Sequence, residues 1–330
     1  MSSYTKLAIA CGGIFLSFSY FAVLQEDVYK KTYGKNNEKF EYTFLALIAE
    51  RGINSLIALL GMLVLGGSGV KIPHKDIFNS GVTQMLAMAA SNEALRFVSY
   101  PTQVLGKSCK MLPVMAGGIL LGGKRYQVVQ YVQVALITLG VALFNFGGKK
   151  KGAGNDSAFG LLLIGAALVL DAVTGGLQDK VKLVSKELNP GAENPKPTMH
   201  ESMFYTNLSG CIVAVGLGAA TGQLLPGLVF CQRNPEVLRA ILIYSLASGV
   251  GQNFIYYTIT EFNPLLLTTV TTTRKIFSTL YSVVRSGVAL DLLQTAGCGL
   301  AIFGLLIDVF RGKQHEAPPK KDAAQSAKKQ

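Results

Sequence analysis

The sequence predicts an all-α membrane protein with ten transmembrane helices in two inverted repeats of five helices, and three observations support this prediction. Of its 330 residues, 50% are hydrophobic and only 15% are charged, whereas a soluble domain usually carries about 25% charged residues. Apolar runs of about 20 residues, the length that crosses a bilayer, recur along the whole chain. Each half also contains a similar segment that joins two runs and carries basic residues.

The apolar runs cover residues 7–24, 43–65, 80–99, 102–122, 126–146, 158–178, 203–223, 238–258, 263–284 and 290–310. Backbone polar groups find no water in hydrocarbon, so these runs predict helices and not open strands. We expect the first run to remain as a signal anchor, because it ends at Gln25–Glu26 and not at a small-residue cleavage site. The runs predict one transporter domain over residues 1–310, and polar residues 311–330 predict a disordered cytosolic tail.

The connections between the runs are mostly short, and the longest polar ones cover residues 25–42 and 181–203. We expect little structure in the second, which contains three prolines. An even number of spans places both termini on one side of the membrane. Lys and Arg are more numerous in the connections on that side, so the positive-inside rule predicts cytosolic termini.

The two similar segments cover residues 92–110 and 251–275. In each, a proline begins a span and basic residues follow it, with Pro101 ahead of Lys110 and Pro264 ahead of Arg274. Since five is an odd number of spans, two such halves cross the membrane in opposite directions. Inverted repeats of this kind place a substrate site near the middle of the membrane, where it opens alternately to each side.

Six basic residues lie well inside the predicted spans, beyond their first two residues, although lipid penalises a basic residue by about 2.5–3.5 kcal/mol at the centre of a span. They are Arg51, Arg96, Lys107, Lys110, Arg274 and Lys275. Glu50 is adjacent to Arg51, and Glu93 lies three positions before Arg96, where two helical side chains share a face. We therefore expect Glu50–Arg51 and Glu93–Arg96 to form structural ion pairs within the bundle.

The other four basic residues have no acidic residue three or four positions away. Either they bind a multiply anionic ligand, or they pair with a distant acid such as Asp171 or Asp291. We favour a phosphate ligand, because Arg binds phosphate bidentately and Lys binds it as a point charge. On this hypothesis the substrate phosphate-binding residues are Lys107, Lys110, Arg274 and Lys275.

Polar side chains near the span ends are candidates for lining the cavity and recognising a base or a sugar. They are Gln25, Glu26, Asn92, Gln103, Gln252 and Tyr256, with Gln84 and Asn207 as further candidates. Each of them is also consistent with ordinary packing or with a position at the membrane interface, so both interpretations stay open.

Catalytic, metal and nucleic-acid functions find little support. The five cysteines are scattered and the three histidines lie in connections or the tail, so we expect no metal and no cofactor. Motifs for nucleophiles, zinc proteases and nucleotide loops are absent, so we expect no enzyme, with a membrane transferase as the weakest alternative. The net charge is +12, but basic residues are not gathered on one polar element, so we expect no nucleic acid. Small-molecule nucleotides and membrane lipid are the expected partners, and a homodimer stays open.

Five phrases in chain order resemble one known family. They are F-S-Y-F-A-V-L-Q-E (18–26), S-N-E-A-L-R-F-V-S-Y-P-T-Q-V-L-G-K-S-C-K-M-L-P-V-M (91–115), L-D-A-V-T-G-G-L-Q-D (170–179), G-Q-N-F-I-Y-Y-T (251–258) and T-T-T-R-K-I-F (271–277). They look like solute carrier family 35, subfamily B, the nucleotide-sugar transporters of the endoplasmic reticulum and Golgi. The phrase T-T-T-R-K favours the UDP-galactose transporter homologue branch of the endoplasmic reticulum.

The resemblance implies a drug/metabolite transporter-like fold of ten helices in inverted repeats. It implies antiport of a nucleotide sugar, here UDP-galactose or UDP-glucose, against UMP. ATP/ADP exchange and transport of the sulfate donor PAPS are alternatives on the same fold. Carried over by motif, Lys107, Lys110, Arg274 and Lys275 flank the phosphates, and Gln25, Glu26 and Gln252 line the cavity.

The last residues bear on the organelle. Members of the branch often end in a dilysine retrieval signal, with lysines third and fourth, or third and fifth, from the end. This chain ends in A-K-K-Q, so Lys328 is third from the end but Ala327 is fourth. The sequence therefore predicts residence in the endoplasmic reticulum or the Golgi membrane without deciding between them.

Overall fold

The computed structural model describes residues 3–34, 37–94, 96–98, 103, 106–107, 109–147, 157–285 and 291–311, which are helical apart from one hairpin and the connections. The helices are α1 (Ser3–Lys30), α2 (Thr43–Leu65), α3 (His74–Ala94), α4 (Met111–Leu120), α5 (Val128–Gly147), α6 (Ala158–Leu188), α7 (Met199–Ala220), α8 (Leu224–Arg233), α9 (Pro235–Glu261), α10 (Pro264–Arg285) and α11 (Leu292–Arg311). Strands β1 (Thr32–Tyr33) and β2 (Glu38–Lys39) pair antiparallel between α1 and α2.

Local sequence signals account for several helix ends. Thr198 caps α7 in a capping box, in which its Oγ accepts from the amide of Glu201 at 3.1 Å and the Glu201 carboxylate accepts from the Thr198 amide at 2.7 Å. Pro235 occupies the first turn of α9, where its missing N–H costs nothing. Gly66 follows α2 with a φ of 81°, a conformation that suits glycine.

Two predicted connections contain more helix than expected. The expectation of little structure over residues 181–203 is wrong at both ends, because α6 continues to Leu188 and α7 begins at Met199. Val181 and Ser185, one helical turn apart, are both buried against the bundle, and this packing extends the helix. The short helix α8 lies in another connection, where Phe230 and Cys231 anchor it in the core.

The predicted span over residues 102–122 differs most. Here the regular helix α4 starts only at Met111. Gln103, Gly106 and Lys107 are helical too, but several residues among them lie outside the described part of the chain. Residues 312–330, which carry most of the predicted tail, also lie outside it.

Several helices have the length and composition of membrane spans, which confirms the apolar helical character predicted from the sequence. Within the described residues, four stretches are long and apolar enough to cross a bilayer, namely Thr5–Tyr29, Thr43–Leu65, Ala158–Leu188 and Met199–Ala220. Large apolar side chains such as Leu16, Val64 and Val128 are more than three-quarters exposed. An outer surface of this kind matches lipid better than water.

Many of the helix contacts follow one pattern. Nine of the contacting pairs are α1 with α9, α3 with α6, α4 with α6, α1 with α10, α2 with α9, α3 with α7, α2 with α7, α5 with α11 and α4 with α10. If the first five helices are exchanged in order for α6, α7, α9, α10 and α11, every pair in this set becomes another member of the set or itself. Other contacts, such as those of α7 with α9 and of α9 with α10, exchange into pairs with few or no contacts among the described residues, so the two halves share part of their contact pattern.

The bundle has two distinct ends. At one end, which we call the N-terminal end, Lys6 of α1 pairs with Glu261 of α9, and Glu261 also binds Lys196 at 2.8 Å. Lys180 of α6 pairs there with Asp76 of α3 at 3.0 Å. The opposite end, the hairpin end, contains β1, β2 and α8, with an aromatic cluster of Tyr29, Tyr33, Phe40, Tyr42 and Phe230.

Candidate functional site

Two lysines share one buried carboxylate at the start of α4. Lys107 Nζ lies 2.8 Å from Asp171 Oδ2, and Lys110 Nζ lies 2.9 Å from Asp171 Oδ1. The Asp171 side chain is 6% exposed, whereas those of Lys107 and Lys110 are 18% and 38% exposed. Two ammonium groups and one carboxylate leave a net charge of about +1 in this group, which we call the lysine site.

Close helix packing holds the lysine site together. Gly117 of α4 approaches α6 so closely that an added Cβ would lie 1.9 Å from the carbonyl oxygen of Ala172, the residue after Asp171. A Cβ on Gly176 would in turn lie 2.4 Å from the carbonyl oxygen of Gly117. Only glycine permits this approach. The close contact places Asp171 beside the turn in which the Lys110 amide donates to the Lys107 carbonyl at 3.2 Å.

Arg274 occupies a different environment in the second half. Its Nη1 donates to the carbonyl oxygen of Phe18 at 3.3 Å, and its guanidinium carbon lies 5.9 Å from the centre of the Phe18 ring. Its Nε is buried without a hydrogen-bond partner in the described part of the chain. Among the residues described, no carboxylate forms an ion pair with Arg274, so its charge is balanced only by a carbonyl dipole and a ring face.

The lysine site and Arg274 lie at a similar depth. Gly118 of α4 lies against Asp179 of α6, and Lys182 of α6 donates to the carbonyl of Phe262 just before α10. The end of α4 and the start of α10 are therefore at a similar level, and these two helices contact each other. Counted from that level, Asp171 lies about 12–16 Å along α6 and Arg274 about 15 Å along α10.

The predicted cavity residues lie on several helices of the bundle. Gln252 and Tyr256 are buried in helix contacts of α9, and Tyr256 packs with Ala58, Met203 and Ile259. Asn92 is exposed near the end of α3, and Gln25 is half-buried.

Three further predicted residues complete this comparison. Gln103 donates to the carbonyl of Ser91 at 3.0 Å and to its Oγ at 3.1 Å, so it joins the end of α3 to the start of the lysine segment. Glu26 and Lys275 lie in α1 and α10, but their side chains lie outside the described residues.

The predicted ion pair between Glu50 and Arg51 is wrong, because each has a different partner. Consecutive residues on a helix point about 100° apart. Arg51 Nη1 donates to Asn207 Oδ1 at 3.0 Å and to Gln84 Oε1 at 3.3 Å, while Glu50 Oε1 accepts from Ser248 Oγ at 2.7 Å. Gln84 and Asn207, which were candidates for reading a base, thus hold Arg51.

The Glu93–Arg96 pair does form, with Arg96 Nη1 3.0 Å from Glu93 Oε1. It lies at the end of α3, and the two side chains are 47% and 73% exposed. The expectation that it lies within the bundle is therefore wrong, because α3 ends at Ala94, before the predicted span does.

Sequence reasoning missed Phe18 as a partner of Arg274 and Glu261 as a partner of Lys6 and Lys196. It named Asp171 only as one of two distant acids. One signal favoured Asp171, which is an acid in the middle of an otherwise apolar run, where ionisable residues are usually functional or paired. No sequence pattern singles out Phe18.

Comparison with known proteins places the chain in a family. The model of the UAA transporter family matches residues 6–311. The chain is 35% identical to Solute carrier family 35 member B1 of Xenopus tropicalis, over 96% of this chain and 97% of that protein. The protein of that name from Gallus gallus is 34% identical over 93% of both chains. That from Dictyostelium discoideum is 31% identical over 91% of this chain and 75% of its own length.

One solved crystal structure also resembles the chain. It has a TM-score of 0.66 and 13% identity, and the match covers 94% of this chain and 98% of that one. At this identity the likeness concerns the fold alone. Taken with the family match and the relatives, the predicted resemblance is confirmed: the chain belongs to the UAA transporter family, among the nucleotide-sugar transporters of solute carrier family 35, subfamily B.

Proposed function

We propose that the protein is an antiporter that moves UDP-galactose or UDP-glucose from the cytosol to the lumen in exchange for UMP. The observation that carries this proposal is the charge balance of the two cation sites. Lys107, Lys110 and Arg274 contribute three positive charges at a similar depth. Among the described residues, only the carboxylate of Asp171 forms ion pairs with this group. A diphosphate carries the negative charge and the oxygen acceptors that such a group lacks.

Alternating access is the proposed mechanism. The equivalent helix contacts of the two halves support an inverted repeat of five plus five spans within residues 1–310, with α8 as an insertion. In such a fold one half rocks against the other around a fixed site near the midplane. The lysine site comes mainly from α4 and α6, and Arg274 from α10 against α1, so the substrate would bridge helices of both halves.

The ion pairs at the N-terminal end fit this mechanism as a gate. Lys6–Glu261 and Asp76–Lys180 each join a helix of the first half to a helix of the second. Rocking of the halves would have to break these contacts when that end opens. The excess of Lys and Arg on the side of the termini supports a cytosolic position for this end, in the membrane of the endoplasmic reticulum or Golgi.

Exchange by purified protein in liposomes tests the proposal. Liposomes preloaded with UMP should take up labelled UDP-galactose or UDP-glucose, and liposomes without UMP should take up much less. Lys107→Ala and Arg274→Ala should lose this exchange, whereas Glu93→Gln should keep far more of it. Absence of exchange with every nucleotide sugar would refute the proposal.

A binding panel identifies the cargo more closely. Phosphates look alike to lysines, so thermal shifts with UMP, UDP, AMP, ADP and PAPS should separate a uridine carrier from its alternatives. Stabilisation by UMP and UDP supports the UDP-sugar antiporter. Stabilisation by ADP alone would instead indicate ATP/ADP exchange, and by PAPS alone a PAPS transporter. If the protein were a transferase, the lysine variants should still bind the substrate but lose turnover.

A further inference from the structure

The shared carboxylate of the lysine site has a role beyond joining two helices. We infer that Asp171 is an internal anion that occupies Lys107 and Lys110 while the carrier is empty, and that substrate phosphate displaces it. This inference rests on the proposed function, since it concerns the same site. It makes Asp171 a positioning residue that sets affinity and turnover without contacting the substrate.

The exposure of the three side chains indicates where an anion would enter. Asp171 is almost fully buried on α6, and the lysines cover it, with Lys110 the most exposed at 38%. An incoming anion would therefore meet the ammonium groups before the carboxylate. Each ammonium group has three donors, and the one carboxylate supplies only two oxygens to the pair. The lysines thus retain donors for a second anion.

Charge favours the exchange of one anion for the other. The carboxylate neutralises one of two positive charges, whereas a nucleoside diphosphate carries at least two negative charges. Phosphate can therefore neutralise both lysines, and each can follow the ligand because a lysine side chain is long and flexible. Asp171 remains behind on the rigid α4–α6 contact made by Gly117 and Gly176. When the ligand leaves, the carboxylate is in place to take the lysines back.

This arrangement affects how the empty carrier moves. A site with three bare cations would resist crossing the membrane without ligand. Asp171 lowers that barrier in part, so we expect the empty carrier to return slowly and not to be locked. Without the carboxylate, the ligand should bind more tightly and leave more slowly. The carrier should then depend more strongly on bound ligand for each change between its two open states.

Binding to full-length Asp171→Asn protein tests the inference. The probes are UMP and UDP, together with inorganic pyrophosphate as a phosphate probe without a base. We expect each to bind about tenfold more tightly than to wild type, the equivalent of one charge-assisted hydrogen bond no longer exchanged. Unchanged or weaker binding would overturn the inference, because a purely structural ion pair predicts a loosened site.

Matched variants separate the possible outcomes. Glu93→Gln removes another ion pair, the exposed one with Arg96, and should leave affinity unchanged. In a Lys107→Ala, Lys110→Ala background, Asp171→Asn should have no effect on affinity. If Asp171→Asn alone does not fold, the comparison of Lys110→Met with Lys110→Met, Asp171→Asn repeats the test with less like-charge repulsion, and there too removal of the carboxylate should tighten binding.

Transport adds a readout that a structural role would not produce. In liposomes we expect Asp171→Asn to lower KM and kcat together, and to lower efflux into nucleotide-free buffer relative to exchange. A raised KM would contradict the inference. If wild type binds and exchanges no nucleotide, the proposed function fails, while the pyrophosphate comparison still decides whether Asp171 competes for the lysines.

Discussion

The lysine site and the Arg274 site lie on helix pairs that convert into each other when the halves are exchanged, yet their counter-ions differ. Exchange of the halves converts the α4–α6 contact into the α10–α1 contact. Asp171 on α6 and Phe18 on α1 each lie six positions before a Leu-Gln pair. The first half-site thus places its cations on a carboxylate, and the second places Arg274 on a carbonyl oxygen and an aromatic ring.

Under the proposed function, this difference predicts different contributions from the two sites. The lysines already pair with Asp171, so a bound phosphate would have to replace that carboxylate, and the net gain in free energy there would be small. Arg274 has no carboxylate among the described residues, and a half-buried cation without one gains most from a bound anion. We therefore expect the greater share of binding free energy to come from the Arg274 side.

The largest predicted effect follows from that asymmetry. Arg274→Ala should lower exchange by about a hundredfold or more, because it removes two charge-assisted hydrogen bonds of about 1.5–3 kcal/mol each. Arg274→Lys keeps the charge but not the bidentate geometry, and should recover part of the loss. Initial rates of exchange in liposomes measure both. Equal activity of Arg274→Ala and wild type would show that Phe18 and Arg274 form a structural contact only.

Much of the fold could be predicted because hydropathy reports directly on burial in lipid. The second run was predicted over residues 43–65, and α2 has the same bounds. Prediction was wrong where tertiary contacts decide, as in α6, whose polar continuation to Leu188 is held by buried Val181 and Ser185. The length of an apolar run does not indicate such contacts.

A smaller part of the site could be predicted from the sequence, namely its basic residues. Lys107, Lys110 and Arg274 could be singled out because a basic residue without a nearby acid has a large free-energy cost in an apolar span. Their partners lie on other helices, and spacing rules reach only three or four positions. Gln252 and Tyr256 are both buried, and the sequence could not predict their surroundings, since an apolar helix does not reveal which of its faces meets a neighbour.

Arg51 is a further basic residue inside the bundle, and its removal has the next largest predicted effect. Its partners are the neutral amides of Asn207 and Gln84 on two other helices, and its residue is 3% exposed. Arg51→Ala should destabilise the protein by about 2–3 kcal/mol, because it leaves these buried amides unpaired. Thermal unfolding in detergent measures the change. Unchanged stability with lost exchange would instead place Arg51 at the substrate.

A transplanted carboxylate tests the comparison directly. Phe18→Asp would give Arg274 an internal anion like the one that the lysines have, and should weaken nucleotide binding by about tenfold. Phe18→Leu serves as the control, because it loses the ring contact without adding charge and should change affinity much less. Titration of each variant with UMP and UDP measures the difference. Equal weakening by Asp and Leu would attribute the effect to packing.

The smallest effect is predicted for Glu93→Gln, which breaks the exposed pair with Arg96. Exposed ion pairs contribute about 0.2–1 kcal/mol, since water and salt screen them and ordering two long side chains opposes them. Both side chains here are close to half exposed or more. The exchange rate should therefore stay within about twofold of wild type, and the thermal stability should stay close to that of wild type. A large loss of exchange with normal stability would mean that this end of α3 faces the transport path.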